Sequence, residues 1–435
     1  MFKTLTDAFK VKEIRRGLIF TLFILAVVRV GCWIPIPGLS SAARELFTAK
    51  VGENALLSSF TGGSLEKLTI FALNVTPYIT SSIIIQLLTI AIPALEEMQK
   101  DGEDGRKKMT ALTRYVTILL AVIESLGLVI GFDRGNYLTI KGPLGYLLII
   151  ITLTAGSTLI MWFGEKITEF GVGNGVSIIL LVNIVSRMPD DFRHLYMQFM
   201  DGKDIVKKII AAAIILLVVV ITIVLVVLLQ DGVRKIPVQY AQKVQGRRLT
   251  GGNASHIPLK VNTSGVIPVI FASSIMSTPA VVMNLLGVQA SGFWSKVQVA
   301  MNSNYWLNPS KPAASIGLVI YILLVLFFAY FYTSVTFNPM EIANNMKKSG
   351  GFIPGIRPGK PTQDYLNKIL NYIVLIGAIG LIIVAVIPIF FNGVFGADVS
   401  FGGTSIIIVV GVIIETIKQI ESKMIVRNYS GFLND

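Results

Sequence analysis

The chain is poor in the residues that most chemistry needs. It has one cysteine, Cys32, and two histidines, His194 and His256, in 435 residues. A lone cysteine forms no internal disulfide. Two histidines far apart, placed on different loops, do not make a metal cluster, which takes several Cys, His or carboxylate ligands together. Charge is scarce too, at 14% of residues against 53% hydrophobic, with a mean hydropathy of +0.70. That balance excludes an ordinary soluble domain and implies a polytopic membrane protein. There is no phosphate-binding loop: Gly173-Asn174-Gly175 lacks the spacing and the lysine of one and reads as the start of a helix. Nor is there a nucleophile beside a base. The expectation is a protein that is not an enzyme and carries no cofactor or metal.

What the chain does have is long apolar runs. From Ile209 to Leu229 the only polar side chain is Thr222, and such a run is long enough to cross a bilayer. Ten spans are expected, at about 17–37, 68–92, 111–131, 144–163, 173–187, 207–229, 264–286, 314–336, 369–391 and 404–424. The first follows Lys10, Lys12, Arg15 and Arg16 but lacks an Ala-x-Ala cleavage site and ends in Pro35-Ile36-Pro37-Gly38, so it reads as an uncleaved helix. Loops on the N-terminal side of the membrane carry 24 Lys and Arg against 12 on the other. This asymmetry puts both termini in the cytoplasm.

Two cytoplasmic loops stand out by length. Loop 230–262 carries Arg234, Lys235, Lys243, Arg247 and Arg248; loop 337–368 carries Lys347, Lys348, Arg357 and Lys360, with Gly350-Gly351 and Pro354-Gly355 breaking it into turns. Charge alone is explained by topology. The length of the loops adds a second reading, in which basic tips meet an acidic protein or the phosphates of ribosomal RNA.

The stretch from Leu57 to Ile92 reads as a broken helix. Phe60-Thr61-Gly62-Gly63-Ser64 is small and uncharged, and Pro77 interrupts the following apolar run from inside by removing a backbone donor. Irregular backbone at membrane depth has to be shielded by protein or line an aqueous cavity. Glu124 is unusual in another way, because an ionisable side chain within a span is costly and takes a partner or water. Arg29, in the first span, reads as structural, either paired or reaching the interface.

Many ordered stretches resemble the SecY family, the central subunits of the bacterial protein-conducting channel, whose eukaryotic members are the Sec61 alpha subunits. They include WIPIPG at 33–38, FTGG at 60–63, PYITSSIIIQLL at 77–88, EDGRKK at 103–108, GVGNGVSI at 171–178, QGRR at 245–248, IPLK at 257–260, GVIPVIFASSI at 265–275, FNP at 337–339, KKSGGFIPGIRPG at 347–359 and FGGTS at 401–405. The resemblance covers essentially the whole chain. It implies an all-α membrane protein of ten transmembrane helices in two inverted-repeat halves, 1–200 and 201–435, around an hourglass pore with a short plug helix. The plug is carried onto about 58–69, including Phe60, Thr61, Gly62, Gly63, Ser64 and Leu65.

The same resemblance implies a ring of aliphatic side chains closing the pore, at Val75, Ile79, Val176, Leu180, Ile270 and Ile408. Val75/Ile79 and Val176/Leu180 are each four apart, so each pair shares a helix face. On spacing alone, plain helix packing explains these residues better, and only the family resemblance reverses that. A lateral seam is implied at Thr80, Glu124 and Thr278, and docking of a cytosolic partner at Arg247, Arg248, Lys347, Lys348 and Arg357. The implied function is a passive channel that moves unfolded secretory polypeptides across a bacterial plasma membrane and releases transmembrane segments sideways into lipid. The implied partners are SecE, SecG, the SecA ATPase, the ribosome, the translocating polypeptide with its signal peptide, anionic lipids, and SecDF and YidC as accessory proteins. Two rivals from other classes fit the residues less well. A secondary transporter would need coupling-ion ligands at mid-membrane, for which Glu124 alone is a poor candidate, and an intramembrane protease would need a catalytic pair, which the spans do not offer.

Overall fold

The computed structural model describes residues 9–40, 61–134, 137–140, 142–200, 204–240, 243–245, 248–250, 255–286, 292–307, 312–395 and 403–431. Helices occupy all ten places where spans are expected. In the first half these are Lys12–Gly31 (α1), Thr76–Ala91 (α2) with Pro93–Lys100 (α3) behind it, Gly102–Arg134 (α4), Pro143–Phe170 (α5) and Gly175–Phe199 (α6). In the second they are Ile205–Asp231 (α7), Ile267–Leu286 (α8), Phe293–Met301 (α9), Ile316–Thr336 (α10), Pro339–Lys348 (α11), Lys360–Phe395 (α12) and Gly403–Gly431 (α13). Among the described residues five helices are long and apolar enough to cross a membrane, or six if α2 and α3, bent by 104°, form one span.

The prolines of the second span act differently from the expectation. Pro77 does not interrupt a helix. It sits in the first turn of α2, where the missing N–H would have had no helical partner anyway and the fixed φ suits a helix start. The residues expected to begin this span, 68–75, are turns instead. Pro93 likewise opens α3, and Ile92 before it is extended at φ −115° and ψ 109°, as a residue preceding proline tends to be. α6 departs in the opposite sense. It runs to Phe199, so Arg187 and His194 lie on a helix and not on a loop.

The two long loops expected on the cytoplasmic side are not merely loops. Val233–Tyr240 (β1) leads through the short hairpin Lys243–Gln245 (β2) and Arg248–Thr250 (β3) to Ser255–Lys260 (β4), and Gly351–Phe352 (β5) comes from the second loop. β1 is the centre of an antiparallel sheet in the order β4-β1-β5. It pairs Ile236 with Ile257 on one side, and Gln239 with Phe352 and Tyr240 with Gly351 on the other. Beneath it Ile236, Val238 and Leu259 form a small core with Met346, Ile353, Leu366 and Ile373, which anchors the sheet on α11 and α12.

Inside the helical body one apolar core gathers side chains of α7, α8, α10, α12 and α13. A second gathers α4, α5 and the segments around Ile36 and Leu68. The two groups of helices, α1–α6 and α7–α13, meet where α4 packs on α8 and where α6 packs on α13. A third core draws side chains from both groups.

Candidate functional site

α6 begins at a tight corner. The Asn174 side chain accepts the Ser177 N–H at 3.3 Å and caps the helix. A Cβ at Gly175 would stand 1.9 Å from the Gly164 carbonyl oxygen, so only glycine lets α6 start this close to α5. Val176 and Leu180 follow on one face. α2 supplies Ile79 and, as the residue just before its first turn, Val75; α8 supplies Ile270 and α13 supplies Ile408.

These six side chains share one continuous apolar cluster. Val75, Leu180 and Ile408 are buried members, and Ile79, Val176 and Ile270 are partly buried and packed against it. Two of the contributing helices come from α1–α6 and two from α7–α13. Around them the cluster continues into Ile24, Leu25 and Val28 of α1 and Ile178 and Ile179 of α6. A purely aliphatic cluster can repack without leaving polar groups unpaired.

Directly beside it lies the turn-rich segment 61–75. Of the residues expected to form a stopper, Phe60 lies outside the described residues. Thr61 is helical, and Gly62, Gly63, Ser64 and Leu65 belong to the turns; Thr61, Gly63, Ser64 and Leu65 are buried. The segment crosses the end of α1, where Ile36 N–H donates to the Leu68 carbonyl at 2.9 Å and Ile70 N–H to the Ile34 carbonyl at 3.0 Å. Its own polar groups are turned inward. Ser64 donates to the Thr61 carbonyl at 2.7 Å or the Phe71 carbonyl at 2.9 Å, and Asn74 donates from Nδ2 to the Thr61 carbonyl at 3.2 Å.

Asn74 is the hub of this segment and was not singled out by sequence reasoning. Its φ is +51°, a left-handed conformation that asparagine tolerates better than most residues. From there Oδ1 accepts the Val75 N–H at 2.9 Å and the Asn183 amide at 3.1 Å, and the backbone carbonyl accepts the Ser157 hydroxyl at 3.0 Å. The signal available in the sequence was Asn183, a polar residue inside an otherwise apolar span, of the kind that asks for a partner.

The residues expected at the seam are less tightly joined. Thr80 donates its hydroxyl to the Thr76 carbonyl of its own helix at 3.1 Å. Glu124 is half-buried on α4, and no hydrogen bond links it to Thr80 among the described residues. The Thr278 side chain lies outside what is described, although its helix, α8, does pack on α4. Of the docking residues, Lys347, Lys348 and Arg357 are exposed. Arg248 begins β3, and Arg247 is outside the described residues. Arg29 keeps Nη1 buried with no hydrogen-bond partner among the described residues. Lys418 reaches Asp231 at 2.7 Å on an exposed surface.

With this geometry in place, comparison with known proteins is informative. The family model described as SecY matches residues 69–417. The protein translocase subunits SecY of Streptomyces scabiei and of Bacillus subtilis are each 41% identical to this chain, over 451 and 443 residues, with each chain covered in full. Among solved structures, a protein-conducting channel superposes with a TM-score of 0.62 at 18% identity, covering 95% of this chain and 94% of its own. A SecY protein whose plug domain stabilises the closed state of the translocation channel gives 0.61 at 18% identity and the same coverage.

Proposed function

The chain belongs to the SecY family of protein translocase subunits, and from that premise we propose that it is a passive channel for unfolded polypeptides with a second, sideways exit into lipid. The observation that carries this reading is the meeting of Val75, Ile79, Val176, Leu180, Ile270 and Ile408 in one aliphatic cluster between two groups of helices. An apolar throat gives a passing chain no hydrogen-bonding trap, and repacking widens it at little cost. The segment 61–75, seated beside the throat, serves as the base of the stopper, with about 58–69 as the plug.

In this reading residues 1–200 and 201–435 are the two halves of an inverted pair. Helices released sideways pass between α4 and α8, past Thr80, Glu124 and Thr278. Energy comes from cytosolic partners, the SecA ATPase or the translating ribosome. They dock at the basic tips around Arg247, Arg248, Lys347, Lys348 and Arg357, and their overlapping footprints make them mutually exclusive. SecE braces the halves and SecG attaches peripherally, in a bacterial plasma membrane with both termini cytoplasmic. A photocrosslinker placed at Ile79 tests the channel reading. It labels a secretory polypeptide stalled in transit; labelling confined to surface loops would reject a central path.

A further inference from the structure

α6 carries Asn183, Arg187 and Asp191 at four-residue intervals, so the three lie along one face. That face meets the segment 61–75. Asn183 donates to Asn74 Oδ1 at 3.1 Å. One turn on, Arg187 Nη2 pairs with Glu66 Oε1 at 2.7 Å, with side chains only 16% and 13% exposed, and Arg187 Nε stands 4.0 Å from Asp191 Oδ1. The backbones come close at the same place. A Cβ on Gly62, whose φ is +60°, would stand 2.9–3.0 Å from Cβ, Cα and the carbonyl oxygen of Asn183.

We propose that Asn183 and Arg187 are positioning residues that fasten the segment 61–75 to α6 in two tiers, an amide pair next to the throat and an ion pair one turn beyond it. The fastening itself is a matter of geometry; its consequence, that it sets how readily the stopper leaves its seat, rests on the channel reading above. The tiers differ in character. The amide pair is neutral and incompletely satisfied, because Asn183 Oδ1 is buried with no hydrogen-bond partner among the described residues; a half-satisfied pair holds weakly. The ion pair is the stronger tier, since parting it strands a charge in a poorly hydrated place. Of the two ties to α6, the one at Asn74, beside Val75, is therefore the first to part, while Glu66 still holds the outer end.

Hydrogen–deuterium exchange of the full-length protein in lipid nanodiscs tests this. Asn183→Ala is expected to speed exchange of the amides in 61–75 about three- to twentyfold, the range for losing one intramembrane hydrogen bond, and Asn74→Gly (glycine keeps the positive φ) speeds it more, because it removes three. Amides of α12 serve as the folding control and stay unchanged. Arg187→Gln speeds the same amides more than Arg187→Lys, which keeps the charge. Unchanged exchange in 61–75 across all four variants overturns the proposal, and so does a rise spread evenly over the chain. Ion conductance of the same variants in planar bilayers reads the consequence separately. If exchange rises while every variant stays non-conducting, the fastening stands and its consequence for the stopper falls, while the channel reading is judged by the crosslinker at Ile79.

Discussion

Within about three turns of α6, one helix face changes character. Val176 and Leu180 belong to the aliphatic cluster, whereas Asn183 and Arg187 bind the segment 61–75 through an amide and an ion pair. The apolar stretch has no directional bonds to break, so it can repack. The polar stretch is directional and holds one arrangement. Softness and fixity are thus placed side by side on a single rigid element, and the contrast predicts that substitutions a few residues apart fail in different ways.

The largest effect is expected from Arg187→Glu, which sets like charges against Glu66 and Asp191. Breaking a mostly buried pair costs about 3–5 kcal/mol, so the thermal midpoint in detergent should fall clearly and recover in part when Glu66→Lys is added. An unchanged midpoint would remove the distinction between the two stretches. Ile408→Asn comes next. An unpaired amide in the throat costs about 1–3 kcal/mol of the closed packing, which corresponds to a rise in resting ion conductance of about tenfold or more. Conductance no different from the parent chain would mean that the cluster is not a seal.

Arg357→Glu lies on an exposed turn far along the chain from α6, and it should alter neither midpoint nor resting conductance. Partner-driven export should drop severalfold at a constant membrane level of the subunit, and normal export would refute the docking assignment. The smallest effect belongs to Lys418→Ala. Lys418–Asp231 is as short as the Arg187 pair, 2.7 Å, but its side chains are 47% and 65% exposed. Exposed pairs contribute under about 1 kcal/mol, so little change in midpoint is expected. A large change would show that burial is not what separates the two ion pairs.

How much of this was legible in the sequence depended on the kind of pattern involved. Apolar runs marked all ten helix positions, because a membrane helix announces itself within its own residues. Their ends were less legible. α6 outlasts its apolar run by twelve residues, from 187 to 199, since its second part is amphipathic and hydropathy does not register it. The turns at 68–75 were hidden by equally apolar side chains, Ile70, Phe71, Ala72 and Leu73, which are buried as well in a coil as in a helix. Pro77 was visible, but its position relative to the helix start was not.

The six residues of the aliphatic cluster were legible only through family resemblance, as aliphatic spacing alone does not separate a throat from ordinary packing. The Asn74–Asn183 contact joins positions 109 residues apart, and no local pattern connects them. The small sheet escaped for a different reason. β1 alternates only at Ile236 and Val238, flanked by charges and interrupted by Pro237, and its partner β5 is two residues long in another loop.

That small sheet has a mechanical consequence. β1 continues directly from α7, β4 leads on to α8, and β5 stands between α11 and α12, so a force on the sheet is shared among α7, α8 and α12 and does not reach them one at a time. If the channel reading holds, a partner leaning on this crossbar would load those helices together.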